Sequence, residues 1–271
     1  MKNFEGFLIC TDLDGTLLND KKQISTENLC AIEHFKNNGG IFTFVTGRMP
    51  FFVSDILNAI SPNAPIGCIN GGGIYDHREG RYLTSTTLPL SVMELVEYAA
   101  SKIDGIGVQV NHLDKIYFCK ENSAMQKFRE VTHVKKLTKS FNKINEPIAK
   151  IVFGDENEES ISKLQEVLLE HPRAKEFDFI RSELTLFEIM PKGINKGAAI
   201  SQFERLLSIE RKNIIAIGDY NNDVEMLRNA GIGIAVANAC EEAKAAADLI
   251  TVSNNDHAIA KIIYDLEQGL I

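Results

Sequence analysis

Phe7-Leu8-Ile9-Cys10-Thr11-Asp12-Leu13-Asp14-Gly15-Thr16-Leu17 opens on an unbroken apolar run and passes into the turn-forming pair Asp14-Gly15. It therefore reads as a buried strand that runs out into a loop. Carboxylates two positions apart point the same way on an extended backbone, and the turn after Asp12 lets both oxygens approach one small volume. There one carboxylate can attack phosphorus while the other serves the leaving oxygen as an acid. A calcium-loop reading fails, because an EF-hand wants Gly at its sixth position and Glu at its twelfth, which here are Leu17 and Gln23.

Outward from this stretch the same alternation repeats. The spacing predicts a helix over 25–38, with Ser25 or Thr26 as cap and Gly39-Gly40 as stop, then a buried strand over 41–45. A helix over 50–60 and a third strand over 66–70, ending in Gly71-Gly72-Gly73, follow. Strands alternating with helices imply right-handed crossovers and a parallel sheet covered on both faces, with ligands at the carboxyl ends of the strands. After about Thr84 the order changes: helix 91–102, a strand pair around Asn111-His112-Leu113-Asp114, helix 122–131, strand 148–153, helix 158–170 and two strands before Pro191. The first pattern resumes with helix 196–207, strand 213–217, helix 223–229 and strand 232–236. The expectation is an α/β parallel-sheet core over 1–84 and 187–271, interrupted once by an α+β domain over 85–186.

Further chemistry sits where those strands end. Gly218-Asp219-Tyr220-Asn221-Asn222-Asp223 follows an apolar strand; Asp223 suits a helix cap, but Asp219 has no such use. If Asp12, Asp14, Asp219 and Asp223 converge, like charges at that density cannot all stay ionised without a cation. Magnesium suits such an all-oxygen site. Thr46-Gly47-Arg48 offers a hydroxyl, an unencumbered N–H and a helix N-terminus, the fittings that hold phosphate oxygens. In Lys192-Gly193-Ile194-Asn195-Lys196-Gly197, a lysine at a helix start opposes the dipole, so Lys196 reads less as a solvated lysine than Lys192. Its ammonium can offset phosphate charge and hold Asp12 ionised. Asn70-Gly71-Gly72 is open between a phosphate contact and a plain turn.

Bulk properties narrow the partners. A net charge of -8 gives no basic surface for a nucleic-acid backbone, and no polybasic helix favours an anionic membrane, so a small soluble substrate is expected. The five cysteines are scattered and form no C-x-x-C pair, which signals neither zinc nor a disulfide framework. Met1-Lys2-Asn3-Phe4-Glu5 leads into an apolar run too short for a signal peptide, and the expected setting is the cytoplasm. His112 and His133 read as solvated surface. Oligomeric state has no signature here.

Together the motif segments resemble the haloacid dehalogenase superfamily, and within it the Cof-type phosphatases with a large α/β cap of the second kind, over nearly the whole chain. The resemblance implies a Rossmann-like core, an inserted cap that closes over the site and selects the leaving group, and Mg²⁺-dependent hydrolysis of small phosphorylated metabolites such as sugar phosphates. By it, Asp12 corresponds to the phosphorylated nucleophile, Asp14 to the general acid/base, Thr46 to the phosphate-binding hydroxyl, Lys196 to the third-motif lysine, and Asp219 with Asp223 to the acidic fourth motif. It places magnesium on Asp12, the main-chain carbonyl of Asp14 and Asp219, with Asp223 ligating directly or through water. It brings Asn222 toward the phosphate or a metal-bound water, and Gly47, Arg48 and Asn70 stand with it as candidate phosphate contacts. The cap's place agrees, since roughly 150 residues lie between Thr46 and Lys196 and only about 30 between Asp14 and Thr46. Family members often carry glycine at or beside Ala258, and Asn254-Asn255-Asp256-His257-Ala258 lacks one. A phosphotransferase or phosphomutase would use the same nucleophile, and a non-catalytic phosphometabolite-binding regulator would keep the pocket without needing it. A nicotinamide site has no support, because Gly231-Ile232-Gly233 follows a helix and Val236 stands at the third glycine position.

Overall fold

In the computed structural model, which describes residues 4–271, the apolar run after Phe7 forms strand β1 (Leu8–Thr11), buried along its whole length. Met1, Lys2 and Asn3 of the N-terminal run lie outside the described residues. Helix α1 (Thr26–Asn37) starts at Ser25, whose Oγ accepts the Asn28 N–H at 3.2 Å. Strand β2 (Ile41–Phe44) follows. The helix expected over 50–60 is a 3₁₀ turn, Pro50–Phe52, and then α2 (Ser54–Ile60). Strand β3 (Ile66–Cys68) stops two residues short of expectation because Ile69 and Asn70 take φ of 56° and 51°. With β4 (Gly73–Asp76) and β5 (Arg81–Ser85) it makes a three-stranded sheet in the order β3-β4-β5.

The next elements are α3 (Val92–Lys102), β6 (Gly107–His112), β7 (Ile116–Lys120), α4 (Ser123–Thr132), β8 (Ile148–Gly154), α5 (Glu158–Glu170), β9 (Phe177–Glu183) and β10 (Leu186–Pro191). The chain ends with α6 (Lys196–Leu207), β11 (Ile214–Gly218), α7 (Val224–Asn229), β12 (Ile232–Ala235), α8 (Glu241–Ala246), β13 (Leu249–Ile250) and α9 (Ala258–Gln268). Among the described residues no helix is long and apolar enough to cross a membrane.

Two compact units result, one of residues up to Thr84 together with Asn195–Ile271, the other of Ser85–Ile194. In the first, a parallel sheet runs in the order β13-β12-β11-β1-β2. Strand β1 is central: Leu8 pairs with Ile214 and Ile41, and Thr11 with Ile217 and Phe44. That register ends three strands level with one another. The Asp12 N–H donates to the Ile217 carbonyl at 2.8 Å and the Val45 N–H to the Thr11 carbonyl at 2.9 Å, so 12, 46 and 219 leave the sheet along one edge. Phe42, Phe44, Phe203 and Ile215 are fully buried on it, each worth about 1.5–3 kcal/mol of transfer free energy.

The second unit is an antiparallel sheet in the order β7-β6-β8-β10-β9. Strand β10 is hydrogen-bonded between β8 and β9, so residues 187–194 belong to the insertion and the second boundary falls after Ile194, not after residue 186. Alternation decides the faces. Val108, Val110, Ile151, Phe153 and Ile189 form a core with Val92 and Leu95 of α3 and Ile161 and Leu164 of α5. Gln109, Asn111, Lys150 and Glu188 occupy the alternate positions, and Lys150 Nζ lies 2.8 Å from Glu188 Oε1. His112 is a correction: it ends β6, is buried, and its Nδ1 hydrogen-bonds the Pro147 carbonyl at 2.7 Å instead of facing water in a turn.

Candidate active site

Asp12 stands immediately beyond β1, on a loop anchored by the buried Leu13, Leu17 and Leu18. Gly15 (φ 83°) is required twice over, by its left-handed backbone and because a Cβ there would collide with Asp219 Oδ2. Thr16 Oγ1 donates to Asp219 Oδ1 at 2.8 Å, tying the first and fourth motif loops together.

Lys196 is the first residue of α6, which Asn195 caps by accepting the Ala198 N–H at 3.1 Å. It is 1% exposed, and its Nζ donates to Asp12 Oδ1 at 2.6 Å and to Asp223 Oδ1 at 2.7 Å. The other Asp223 oxygen accepts the N–H groups of Asp219 and Tyr220, both at 3.0 Å. Ligand oxygens of Asp12, Asp219 and Asp223 lie within 4.8 Å of one another.

Three carboxylates against one ammonium leave the cluster negative. Burial pushes the Asp12 carboxyl well above the usual range; Lys196 opposes this, and the charges of Asp223 and Asp219 add to it. Burial, then the Asp223 charge, pushes Asp219 up to about 6. Burial disfavours the Lys196 ammonium, but Asp12 and Asp223 outweigh it and raise its pKa. The unneutralised oxygens belong to Asp12 and Asp219, whereas those of Asp223 already accept three hydrogen bonds. A small, hard, oxygen-seeking divalent cation fits this donor set, with Asp223 bracing it from behind.

Asp14 is engaged elsewhere. Arg48 donates to it through Nε at 2.8 Å and Nη2 at 2.7 Å, and Lys22 Nζ through a 3.0 Å bond. Burial pushes the Asp14 carboxyl up, but these two cations outweigh it and hold it below the usual range. Arg48, expected on phosphate, thus meets a carboxylate, and Lys22 is a contact that sequence reasoning did not single out. Its only signal was a basic pair, Lys21-Lys22, close behind an acidic motif.

Thr46 is buried, and its Oγ1 accepts the Arg48 N–H at 3.2 Å. A Cβ on Gly47 would come within 2.9 Å of Asn70 Oδ1, so the absence of a side chain permits that approach. Asn70 is buried and accepts from Asn222 Nδ2 at 3.2 Å, which brings the segments that follow β3 and β11 together. Its neighbour Ile69, β-branched and at positive φ, stores strain on the order of 1–3 kcal/mol to hold this turn.

A parallel sheet with carboxylates at its strand ends and an antiparallel insertion is the build of a hydrolase family. The model for haloacid dehalogenase-like hydrolases matches residues 9–263, and the chain belongs to that family. Within it the protein is a Cof-type phosphatase, a phosphomonoesterase of small phosphorylated metabolites. It is similar to two Bacillus subtilis (strain 168) enzymes, each a 5-amino-6-(5-phospho-D-ribitylamino)uracil phosphatase. YcsE is 30% identical over 256 residues, 94% of either chain, and YitU is 28% identical over 277 residues, 95% of this chain and 96% of that one. The crystal structure of a haloacid dehalogenase-like hydrolase from Bacteroides thetaiotaomicron superposes with a TM-score of 0.85 at 26% identity, covering 96% of this chain and 99% of that one.

Proposed function

We propose that the phosphatase is magnesium-dependent and works through an aspartyl-phosphate on Asp12. The observation that carries this is the buried Lys196 ammonium 2.6 Å from Asp12, which favours the anionic, nucleophilic carboxylate against the cost of its burial. An Asp12 oxygen attacks phosphorus in line and the bond to the leaving oxygen breaks, while Asp14 gives that oxygen its proton. Asp14 then takes a proton from water, the water oxygen attacks the same phosphorus, and inorganic phosphate leaves Asp12 as a free carboxylate. Thr46, the Gly47 N–H and Lys196 hold the phosphate oxygens, with Asn70 and Asn222 beside them. Asp12, Asp219 and the Asp14 main-chain carbonyl would hold Mg²⁺, which supplies positive charge against the phosphate oxygens.

Asp14 begins as an anion clasped by Arg48 and Lys22. An incoming phosphate draws on the same cations, and a carboxylate that loses them regains its proton affinity and takes up from solvent the proton it then gives to the leaving oxygen. Arg48 therefore serves both partners in turn.

Sugar or polyol phosphates are the substrates this reading favours, with the inserted unit selecting the leaving group. On its polar sheet face, Gln109 Nε2 and Asn111 Nδ2 are buried and lack a hydrogen-bond partner among the described residues, which suits hydroxyl-rich molecules. The two Bacillus relatives act on a phosphorylated ribityl compound, by their names. A cytoplasmic setting belongs to the same reading, supported by five free thiols.

Asp12→Asn tests it: phosphate release from a panel of phosphorylated metabolites should fall by at least about a thousandfold, with the circular dichroism spectrum unchanged. Turnover like that of the wild type, in protein purified free of contaminating phosphatase, overturns the assignment.

A further inference from the structure

Two loops, one after β12 and one after β13, make contacts that the mechanism above does not use. Asn238 Nδ2 donates to the Gly15 carbonyl at 2.8 Å, across 223 residues of sequence. Its Oδ1 accepts the Asn254 N–H at 2.9 Å. Asn254, buried, turns its own Nδ2 onto the Leu18 carbonyl at 3.0 Å and toward Asp20 Oδ1 at 3.4 Å, while its Oδ1 accepts from Ser253 Oγ at 3.1 Å. Asn255 completes the grip: its Nδ2 donates to Asp20 Oδ2 at 3.0 Å and its Oδ1 accepts the Asp20 N–H at 3.2 Å.

Apart from the Asn238–Asn254 and Ser253–Asn254 bonds, these all fall on residues 15–20, the segment that follows Asp14. On its other side the same segment is held by Thr16 on Asp219. It continues into Asn19, whose side chain accepts the N–H groups of Lys21 and Gln23 at 2.9 and 3.0 Å, and then Lys22 (φ 58°), whose ammonium reaches Asp14. The backbone on which Asp14 depends is thus clamped between Asp219 on one side and Asn238, Asn254 and Asn255 on the other. A loop fixed on one side only would let the acid wander by the ångström or so that costs proton transfer.

We propose that Asn238 and Asn254 are positioning residues that set the place of Asp14 as the leaving-group acid. The inference rests on the Asp14 role proposed above. Neither asparagine has a bond to Asp12, Lys196 or Asp219 side chains among those described, so attack by Asp12 is expected to survive their loss while proton delivery suffers. That difference is measurable. A nitrophenolate leaves without protonation, whereas a sugar alkoxide needs a proton as it departs.

Asn238→Ala and Asn254→Ala are compared with wild type on p-nitrophenyl phosphate and on a hexose 6-phosphate, both with saturating magnesium. The expected result is a kcat about tenfold or more lower on the sugar phosphate, KM within about twofold, and kcat on p-nitrophenyl phosphate within about threefold. Equal losses on both esters, a rise in KM alone, or no loss on either overturns the inference. Wild-type protein that turns over neither ester overturns the proposed mechanism and this inference with it; activity on both with non-selective variants overturns the inference alone. Should Asn254→Ala not fold, Asn238→Ala carries the test, because Asn238 is exposed and its truncation opens no cavity.

Discussion

Lys196 in the parallel-sheet unit and Lys150 in the inserted unit are both buried against carboxylates, but the charge around them differs. Lys196 lies between Asp12 and Asp223, with Asp219 close by, so negative charge is left over. Lys150 lies 2.8 Å from Glu188, and that pair's charges cancel. The surplus sits at strand ends, where backbone leaves the sheet and can be shaped around a ligand; the cancelling pair sits mid-strand, where neighbouring strands fix every Cα. Excess buried charge of one sign is expensive to fold unless something of opposite sign arrives, which is why it marks the site.

Breaking each pair separates the two roles. Lys196→Met should lower turnover about a thousandfold, measured as kcat on any accepted substrate, through loss of charge stabilisation at phosphate and at Asp12. Lys150→Met removes the cation beside the buried Glu188 carboxylate and should cost about 3 kcal/mol in urea unfolding, with turnover per folded molecule within about threefold of wild type. A Lys150 variant as inactive as the Lys196 variant would break the comparison.

Proton linkage sharpens it further. The folded-state pKa of Asp219 is raised to about 6, so the folded chain holds this proton more tightly than the unfolded chain. The stabilisation is complete below the ordinary carboxylate range and is lost as pH rises through about 6. In EDTA, lowering pH from 7 to 5 should therefore stabilise wild type relative to Asp219→Asn by on the order of 1 kcal/mol. Saturating magnesium should raise Tm more at pH 7 than at pH 5, because the ion requires the ionised carboxylates. A magnesium effect on Tm independent of pH would count against those ligands.

The smallest effect concerns His257, which caps α9 in the left-handed region (φ 61°), a conformation that glycine adopts without strain. His257→Gly should stabilise by about 0.5 kcal/mol, the relief of backbone strain less the added entropy of the unfolded chain and a weak surface pair with Glu27.

Asp12, Thr46, Lys196 and Asp219 were legible because strand ends and helix starts carry local signals, and because helices such as α5 and α6 show their spacing and caps in the sequence. Partners set only by the folded chain were not. Arg48 sits on Asp14 through a contact across 34 positions, and nothing local distinguishes it from a phosphate-facing arginine. Strand β10 reads as a strand, but which sheet it joins depends on β8 and β9. Strand β13 has two residues, too few for any periodicity. Helix α9 does repeat Ile259, Ile262, Ile263 and Leu266 at helical spacing, yet it lies beyond the last motif and carries no chemistry to draw attention. The buried polar face of the inserted sheet interrupts an apolar strand with Gln109, Asn111 and His112, a pattern that mimics a solvated hairpin until the neighbouring strands are known.

The central place of β1 has a consequence for biosynthesis. Its neighbour β11 begins at Ile214, so at translation speeds of 5–20 residues per second the strand that leads into Asp12 has β2 at once but waits roughly 10–40 s on the ribosome for its second partner. The insertion draws all its strands from one contiguous stretch and can mature in that interval. The nucleophile's surroundings assemble last, so a nascent or C-terminally truncated chain holds the whole inserted stretch while β1, paired with β2 alone, still lacks β11 on its other edge. Quality control in the cell would meet this protein chiefly through that open strand edge.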